Sequence, residues 1–520
     1  MKTKIFMLVL SFSLLGSGCQ SLKEDAYDFI SPDSFYKTEA DALASITGVY
    51  AVLNSSNLFN VGYFNLLNMS GCIGIHQDQR MLELLTGQHN PNSNFISESW
   101  NGLYEGVRKA NTTLEGVPRC QMDETKKKSI IAEAKFMRAL FYFWLVRTYG
   151  PVPLRTSALV EDAKLHPSPI KDVYQVIIDD LESAIPDLAN KGVYERGRAT
   201  KDAGQALLAN VYLTLASAAR AATEDGSQGA KRYDVFAADI ATNYQKCKTL
   251  CGEIITRNSF KLLTNWMDLW GIPNRMNDEF IFMILTITDT DLGTVLPNRY
   301  TPANSPFSPH PGFYGGLTYE FVKSYNPQDI RFTDGMIWQF NSVVNNALTK
   351  WRRNINSATQ LVTGTTFPLL DNKKYQDPNA TNRNQGGCSV PIIRMAEVYL
   401  MYSEAENEIA GPTTDAFAKI NAIRSRVNCP LLTIANTPTK ADLRKKIIDE
   451  RMWEFALESK DFFDCARTGQ LEARTYGLSY NPLQNDTAQH LRARNAKDYL
   501  FPYPQTELLT NPNISLDDQN

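Results

Sequence analysis

The stretch Ala132–Gly150, AEAKFMRALFYFWLVRTYG, limits what this chain can fold into more than any other segment. Between Phe136 and Val146 nearly every position is apolar, so an α-helix built from it leaves no face for water and has to be buried. The helical pattern extends from Asp123 to Tyr149. Gly150 and Pro151 stop it, the first supplying a left-handed cap and the second a residue that cannot continue the helix. A helix enclosed on all sides needs other helices around it, and the periodicity supplies them. Phe35, Ala42, Ile46, Val49 and Leu53 recur at helical intervals from Ser34 to Leu53, where Ser34 or Thr38 can cap the start. Asp172–Leu188, Thr200–Ala219 and Ala237–Ile255 are further amphipathic segments, separated by short turns.

Consecutive antiparallel helix pairs of this length resemble the layers of tetratricopeptide repeats. Ser70 to Ser97 reads as a loop, after which helix resumes at Trp100–Tyr104. Composition shifts after Asn258: residues 259–390 are rich in Pro, Gly, Asn, Thr and aromatics, with short β-like runs such as Phe280–Ile284. Helix returns at Ile393–Ile409, Thr414–Val427 and Ala441–Glu458. The expected fold is mainly α, with a helical scaffold over about residues 34–258 and 391–470. A loop-rich insertion over about residues 259–390 carries short strands. The late helices are expected to pack on the early ones, making residues 19–520 one domain. A loop region this long inside a folded chain usually carries binding residues.

Lys2 and Lys4, an apolar run over Ile5–Leu15, and small residues leading to Cys19 have the order of a secretory signal. They resemble a bacterial lipoprotein signal over residues 1–18, in which Cys19 is acylated and becomes the mature N-terminus. Leu15 lies four residues before the cysteine, where the pattern prefers three. The short cluster Lys23-Glu24-Asp25 resembles a surface-export signal and reads equally well as a solvated linker. No later run reaches the length of a membrane-spanning helix. The formal net charge over 520 residues is -3, which favours neither nucleic acid nor an acidic surface. Seven cysteines remain after Cys19. Cys247 and Cys251, four apart in a helical pattern, match neither redox nor zinc spacing, and all seven read as mostly buried small hydrophobes.

Several segments, in order, resemble the SusD/RagB family of surface glycan-binding lipoproteins. They include Ser31–Tyr36, Trp100–Tyr104 with Ala110-Asn111, Arg138-Ala139, Tyr149–Leu154, Ala199–Lys201, Arg394–Leu400, Ile420–Arg424, Glu450-Arg451 and Phe501–Glu507. One departure is Ser459, where the family commonly has Gly; it is expected to tighten a turn without changing the fold. The resemblance implies a SusD-like fold. It also implies an outer-membrane location with a lipid anchor at Cys19, exposure on the cell surface, and a SusC-like TonB-dependent transporter as partner. Shared positions of this kind identify a scaffold rather than a ligand.

No HExxH, GxSxG or phosphate-binding loop occurs. Glu450, Glu454 and Glu458 share one face of the expected helix. Carboxylates that point the same way cannot flank a glycosidic bond, so they read as a structural stripe paired with Arg451 and distant Arg or Lys. His76, Asp78 and His89 are too irregularly spaced to argue for a metal. No cofactor is expected, and no catalytic residue is assigned. Glycan capture needs flat aromatic faces and planar polar groups. In SusD-like proteins the loop before Trp100–Tyr104 contributes to the ligand site, which points to Asp78 and Arg80, with Asn90 nearby. Trp270, Arg275, Tyr300 and Tyr314 come from the aromatic loop 266–319, with Trp270, Tyr300 and Tyr314 as stacking platforms. Trp266 reads as a buried anchor, Trp100 as structural, and Trp338 and Trp351 as further candidates. The expected function is capture of an oligo- or polysaccharide for delivery to the transporter. The alternatives are the same scaffold binding a peptide or other nutrient, or a structural partner that binds no ligand.

Overall fold

In the computed structural model, residues 35–76, 81–159, 164–309, 315–349, 369–474 and 494–519 are described. Cys19, expected as the lipid anchor, and residues 1–18, expected as its leader, lie outside them. The buried helix is α4 (Glu124–Tyr149), and its N-cap Asp123 accepts the Lys126 N–H. Gly150, at φ 80°, ends it as its sequence requires. Phe136, Leu140, Phe141 and Leu145 are all at most 1% exposed.

Around it stand α1 (Glu39–Ala51), α2 (Gly62–Ser70), α3 (Asn94–Gly116), α5 (Ile170–Ala184) and α6 (Lys201–Thr223), and α7 (Ile240–Arg257) follows on α6. Thr38 caps α1 in a reciprocal box with Asp41. Helices α3 to α7 pack each on the next in chain order. Gly106 of α3 faces the Phe141 ring of α4 so closely that a β-carbon would enter the ring, which fixes glycine there.

The strands are β1 (Gly74–His76), β2 (Phe280–Ile284), β3 (Gly315–Thr318), β4 (Phe340–Asn341), β5 (Leu348–Thr349), β6 (Leu369–Leu370) and β7 (Val390–Arg394). β3 lies between β1 and β6, β4 pairs with β5, and β2 pairs antiparallel with β7. The β2–β7 ladder joins the two ends of the loop-rich region: Phe280 is in register with Arg394. Beyond it come α8 (Met395–Ala410), α9 (Thr414–Arg426), α10 (Lys440–Glu454) and α11 (Asp461–Arg467). α8 packs on α7, so the late helices return to the early layer, and α9 and α10 pack on α8.

A charged cluster sits inside this return. Arg394 meets Glu279, Glu454 and Glu458; Glu454 also meets Arg331 and Arg426; Glu450 meets Arg331 and Arg424; Lys374 meets Glu458. The three carboxylates are therefore structural. They do not share one helix, however, because α10 ends at Glu454 rather than Glu458. Arg451 serves Glu397 and Asp464 instead. Ser459 takes up the glycine-like backbone directly, at φ 60°. Asn68 fixes it from both sides, donating Nδ2 to its hydroxyl at 2.7 Å and accepting its N–H at 3.0 Å. All seven cysteines beyond Cys19 are buried. Among the described residues no helix is long and apolar enough to cross a membrane.

Candidate ligand-binding face

β1 is where the loop expected to carry Asp78 and Arg80 begins. It starts at Gly74, where a β-carbon would run into the Asn68 carbonyl, so no side chain fits. It ends at His76, opposite Gly315 of β3. Gly315 is required as well, since a β-carbon there would meet the His76 and Tyr300 rings. Asp78, Arg80, Tyr314 and Trp351 themselves lie outside the described residues.

Beneath this pair of strands sits Tyr300, fully buried. Its ring is edge-on to Phe64 at 5.2 Å and to His76 at 6.2 Å, and its hydroxyl donates to Asn65 Oδ1 at 2.7 Å. Burial pushes that hydroxyl's pKa up. The expectation of a stacking platform at Tyr300 is overturned: both faces are covered and its polar end is satisfied, so it supports the loop bases from below.

Trp270 is corrected in the same way. Only 4% of it is exposed, and it packs on Trp266 at 5.3 Å and on Phe280, with the Lys374 ammonium 4.9 Å from its ring. Trp266, at 2% exposure, is the buried anchor expected, and Trp100 is buried also. Arg275 is half-buried, donates to the Thr286 carbonyl at 3.2 Å, and accepts the Ser389 hydroxyl on its own carbonyl. Trp270 packs with Trp266, Phe280 and Met283, whereas Tyr300 belongs to the main core with Phe64, so the structure does not bring these two together.

Asn90 is exposed and closes a turn, accepting the Asn92 N–H at 2.8 Å. Its neighbour His89 ties that turn to the end of α2, just before β1, through Ser70 Oγ at 3.1 Å, and leans on the Phe501 ring at 4.6 Å. Arg494 donates to the Ser70 carbonyl at 2.9 Å. The Asn90 turn, the start of β1 and Arg494 thus meet at one place. Asp461 fixes that place from inside: its Oδ2 accepts the Cys72 N–H at 2.7 Å, and burial, with Asp464 adding to it, pushes the Asp461 carboxyl up to about 7.

Among the described residues, the half-exposed aromatics of the loop-rich region are Phe307 and Trp338. Both flank the Asp371–Lys373 segment. Ile337 N–H donates to the Asp371 carbonyl, Lys373 N–H donates to the Gly335 carbonyl, and the Lys373 ammonium stands 5.7 Å from the Phe307 ring. Trp338 is held by its indole N–H on the Phe332 carbonyl at 3.1 Å. Asn304, two residues before Pro306, accepts the Val343 N–H at 2.9 Å, which brings the β4–β5 hairpin alongside. Phe307 stood among the loop aromatics in the sequence without being singled out. The half-polar run Pro306–Pro309 around it, which no strand can absorb, was the available signal.

Elsewhere a groove of about 920 Å³ runs between α1, the Tyr194–Arg198 turn and Met283–Leu292, and none of the expected ligand residues lines it. Among the described residues no group of three or more His, Cys, Asp or Glu is placed to hold a metal.

Two family models match this chain. One, described as "SusD family", covers residues 300–520; the other, "Starch-binding associating with outer membrane", covers residues 29–213. Among curated proteins, SusD-like protein P2 of Formosa agariphila is 25% identical over 99% of this chain and 98% of its own length. The starch-binding protein SusD of Bacteroides thetaiotaomicron is 22% identical over 87% and 83%. Among solved structures, a SusD homologue from Bacteroides thetaiotaomicron superposes with a TM-score of 0.75 at 19% identity, covering 93% of this chain and 97% of that one. A laminarin-binding SusD-like protein superposes at 0.69 and 22% identity, over 92% and 98%.

Proposed function

Because this chain belongs to the SusD/RagB family, we propose that it is an outer-membrane, cell-surface lipoprotein that captures an oligo- or polysaccharide. It hands the glycan to a SusC-like TonB-dependent transporter. Residues 1–18 are the signal, Cys19 carries the lipid, and residues 19–520 form the binding domain. The observation that carries the reading is the pair of half-exposed rings, Phe307 and Trp338, on either side of the Asp371–Lys373 segment, with Trp338 fixed by its indole N–H on the Phe332 carbonyl. Ring faces of this kind stack on the C–H surface of a sugar, and a planar amide such as Asn90 serves its hydroxyls. Asp78, Arg80 and Tyr314, on the segments that follow His76 and precede Gly315, complete the proposed face. Arg275 is kept as an outlying polar candidate.

No bond is made or broken in this reading. The carboxylates that invited a hydrolase, Glu450, Glu454 and Glu458, are at most 4% exposed and spent on Arg and Lys partners.

Affinity electrophoresis and calorimetry against a panel of purified polysaccharides test the proposal. Retardation by at least one glycan, lost in Phe307→Ala/Trp338→Ala, is expected. Binding of peptides with no glycan retarding the protein would transfer the scaffold to another nutrient.

A further inference from the structure

Cys72 and Cys465 lie 393 residues apart in sequence and bring their Sγ atoms to 3.3 Å inside the protein. Neither is on a floppy element. Cys72 precedes β1, and its N–H is held by Asp461 Oδ2 at 2.7 Å. Its neighbour Gly71 packs so close to the Asp461 carboxylate that a β-carbon has no room. Cys465 stands one turn beyond Asp461 on α11, so the same helix face presents first a carboxylate and then a thiol to residue 72.

The remaining buried cysteines lack this arrangement. Cys247 and Cys251 also touch through their side chains, but they stand one turn apart on the single helix α7, where a bridge is geometrically awkward. Cys429 takes Asp329 Oδ2 at 3.2 Å as its partner.

We propose that Cys72 and Cys465 form a disulfide in the exported protein, cross-linking the start of β1 to α11. This rests on the export proposed above. The oxidant is a thiol–disulfide oxidoreductase in its disulfide form. One cysteine thiolate attacks that disulfide, forming a mixed disulfide and releasing one oxidant thiolate. The second cysteine thiolate then attacks the bound sulfur and displaces the other oxidant thiolate. The net change is one new S–S bond in this chain and two thiols on the oxidant, which take the two protons. Cys72 is 3% and Cys465 0% exposed, and the contact with Cys72 together with burial pushes the Cys465 thiol up. Exchange therefore belongs to folding, before α11 closes over β1.

The bond clamps the segment that leads into β1, the strand after which Asp78 and Arg80 follow in sequence. It also closes a very long loop, the case in which a cross-link restricts the unfolded chain most.

Residues 20–520 exported to the periplasm of an expression host under the host's own leader provide the test, independently of lipid at Cys19. At harvest the protein is denatured in N-ethylmaleimide, digested with trypsin and mapped by mass. The peptide 461–467, DFFDCAR, is expected to be linked to the peptide bearing Cys72, with the other five cysteines alkylated. Dithiothreitol is expected to lower the Tm of the native-sequence protein by at least about 5 °C and to leave Cys72→Ala/Cys465→Ala unchanged. Alkylation of all seven cysteines, or pairing of 461–467 with any other cysteine, would overturn the assignment whatever the variant does. Failure of the glycan panel alone leaves this result untouched.

Discussion

Arg394 Nη1 and Glu454 Oε1 lie 2.6 Å apart with neither side chain reaching solvent. Arg394 ends β7, at the point where the loop-rich region rejoins the helices, and Glu454 ends α10. Their pairing fixes where the late helices sit on that junction. Three guanidinium groups, from Arg331, Arg394 and Arg426, hold the Glu454 carboxyl far below the usual carboxylate range against the opposing effect of burial.

Removing this carboxylate takes one buried partner from each of three buried cations. Glu454→Ala is expected to cost about 3–5 kcal/mol of stability, read as a lower denaturant midpoint with an unchanged slope.

The acid and neutral limbs of the stability profile have opposite origins. Glu454 has a folded pKa below its unfolded one, so its contribution is present above about pH 4.5 and is lost as pH falls. Asp461 is raised from 3.8 to about 7. In the window between those values the folded state binds the extra proton, so stability from this group is full below its unfolded pKa and declines as pH rises through the folded one. Asp461→Asn, which keeps an acceptor for the Cys72 N–H without ionising, is expected to flatten the decline between pH 4 and 7. Chemical denaturation at stepped pH reads this directly. An unchanged slope would mean that Asp461 stays ionised in the native protein.

Ser459 separates a backbone effect from a side-chain effect. Ser459→Ala keeps the left-handed strain and loses the hydroxyl that receives Asn68, at an expected cost of about 1–2 kcal/mol. Ser459→Gly loses the same bond but relieves about 1 kcal/mol of strain, so it should be the milder change in thermal melts.

Buried and half-exposed rings should divide cleanly. Trp270→Ala and Tyr300→Ala are expected to lose about 3–5 kcal/mol of stability. Phe307→Ala and Trp338→Ala should leave the Tm within a few degrees and weaken glycan binding at least tenfold. Calorimetry and thermal melting on the same four proteins distinguish the two sets.

The helices were legible in the sequence because burial imposes a period. The apolar run ending at Gly150–Pro151 set α4 to within a residue, and Phe280–Ile284 is the strand it suggested. α2 was not legible: all nine of its residues are buried, Asn65 and Asn68 among them, so no polar face marks it. Its asparagines make sense only once Tyr300 and Ser459 arrive from 235 and 391 residues away. The same long reach hid the fate of the loop aromatics. Whether Tyr300 or Phe307 faces water depends on what covers it, and no local spacing encodes that.

The packing of α8 on α7 carries a consequence for how the chain matures. Cys247 of α7 lies against the Met401 carbonyl of α8, 154 positions later. Until that second helix has emerged, α7 rests on α6 and the side that α8 will cover lies open. Folding is thus governed by distant pairings, which are slow to form and leave sticky surface uncovered meanwhile. A fragment ended anywhere between residues 258 and 395 should need a chaperone to stay in solution, and the intact polypeptide should acquire its protease resistance in one late step.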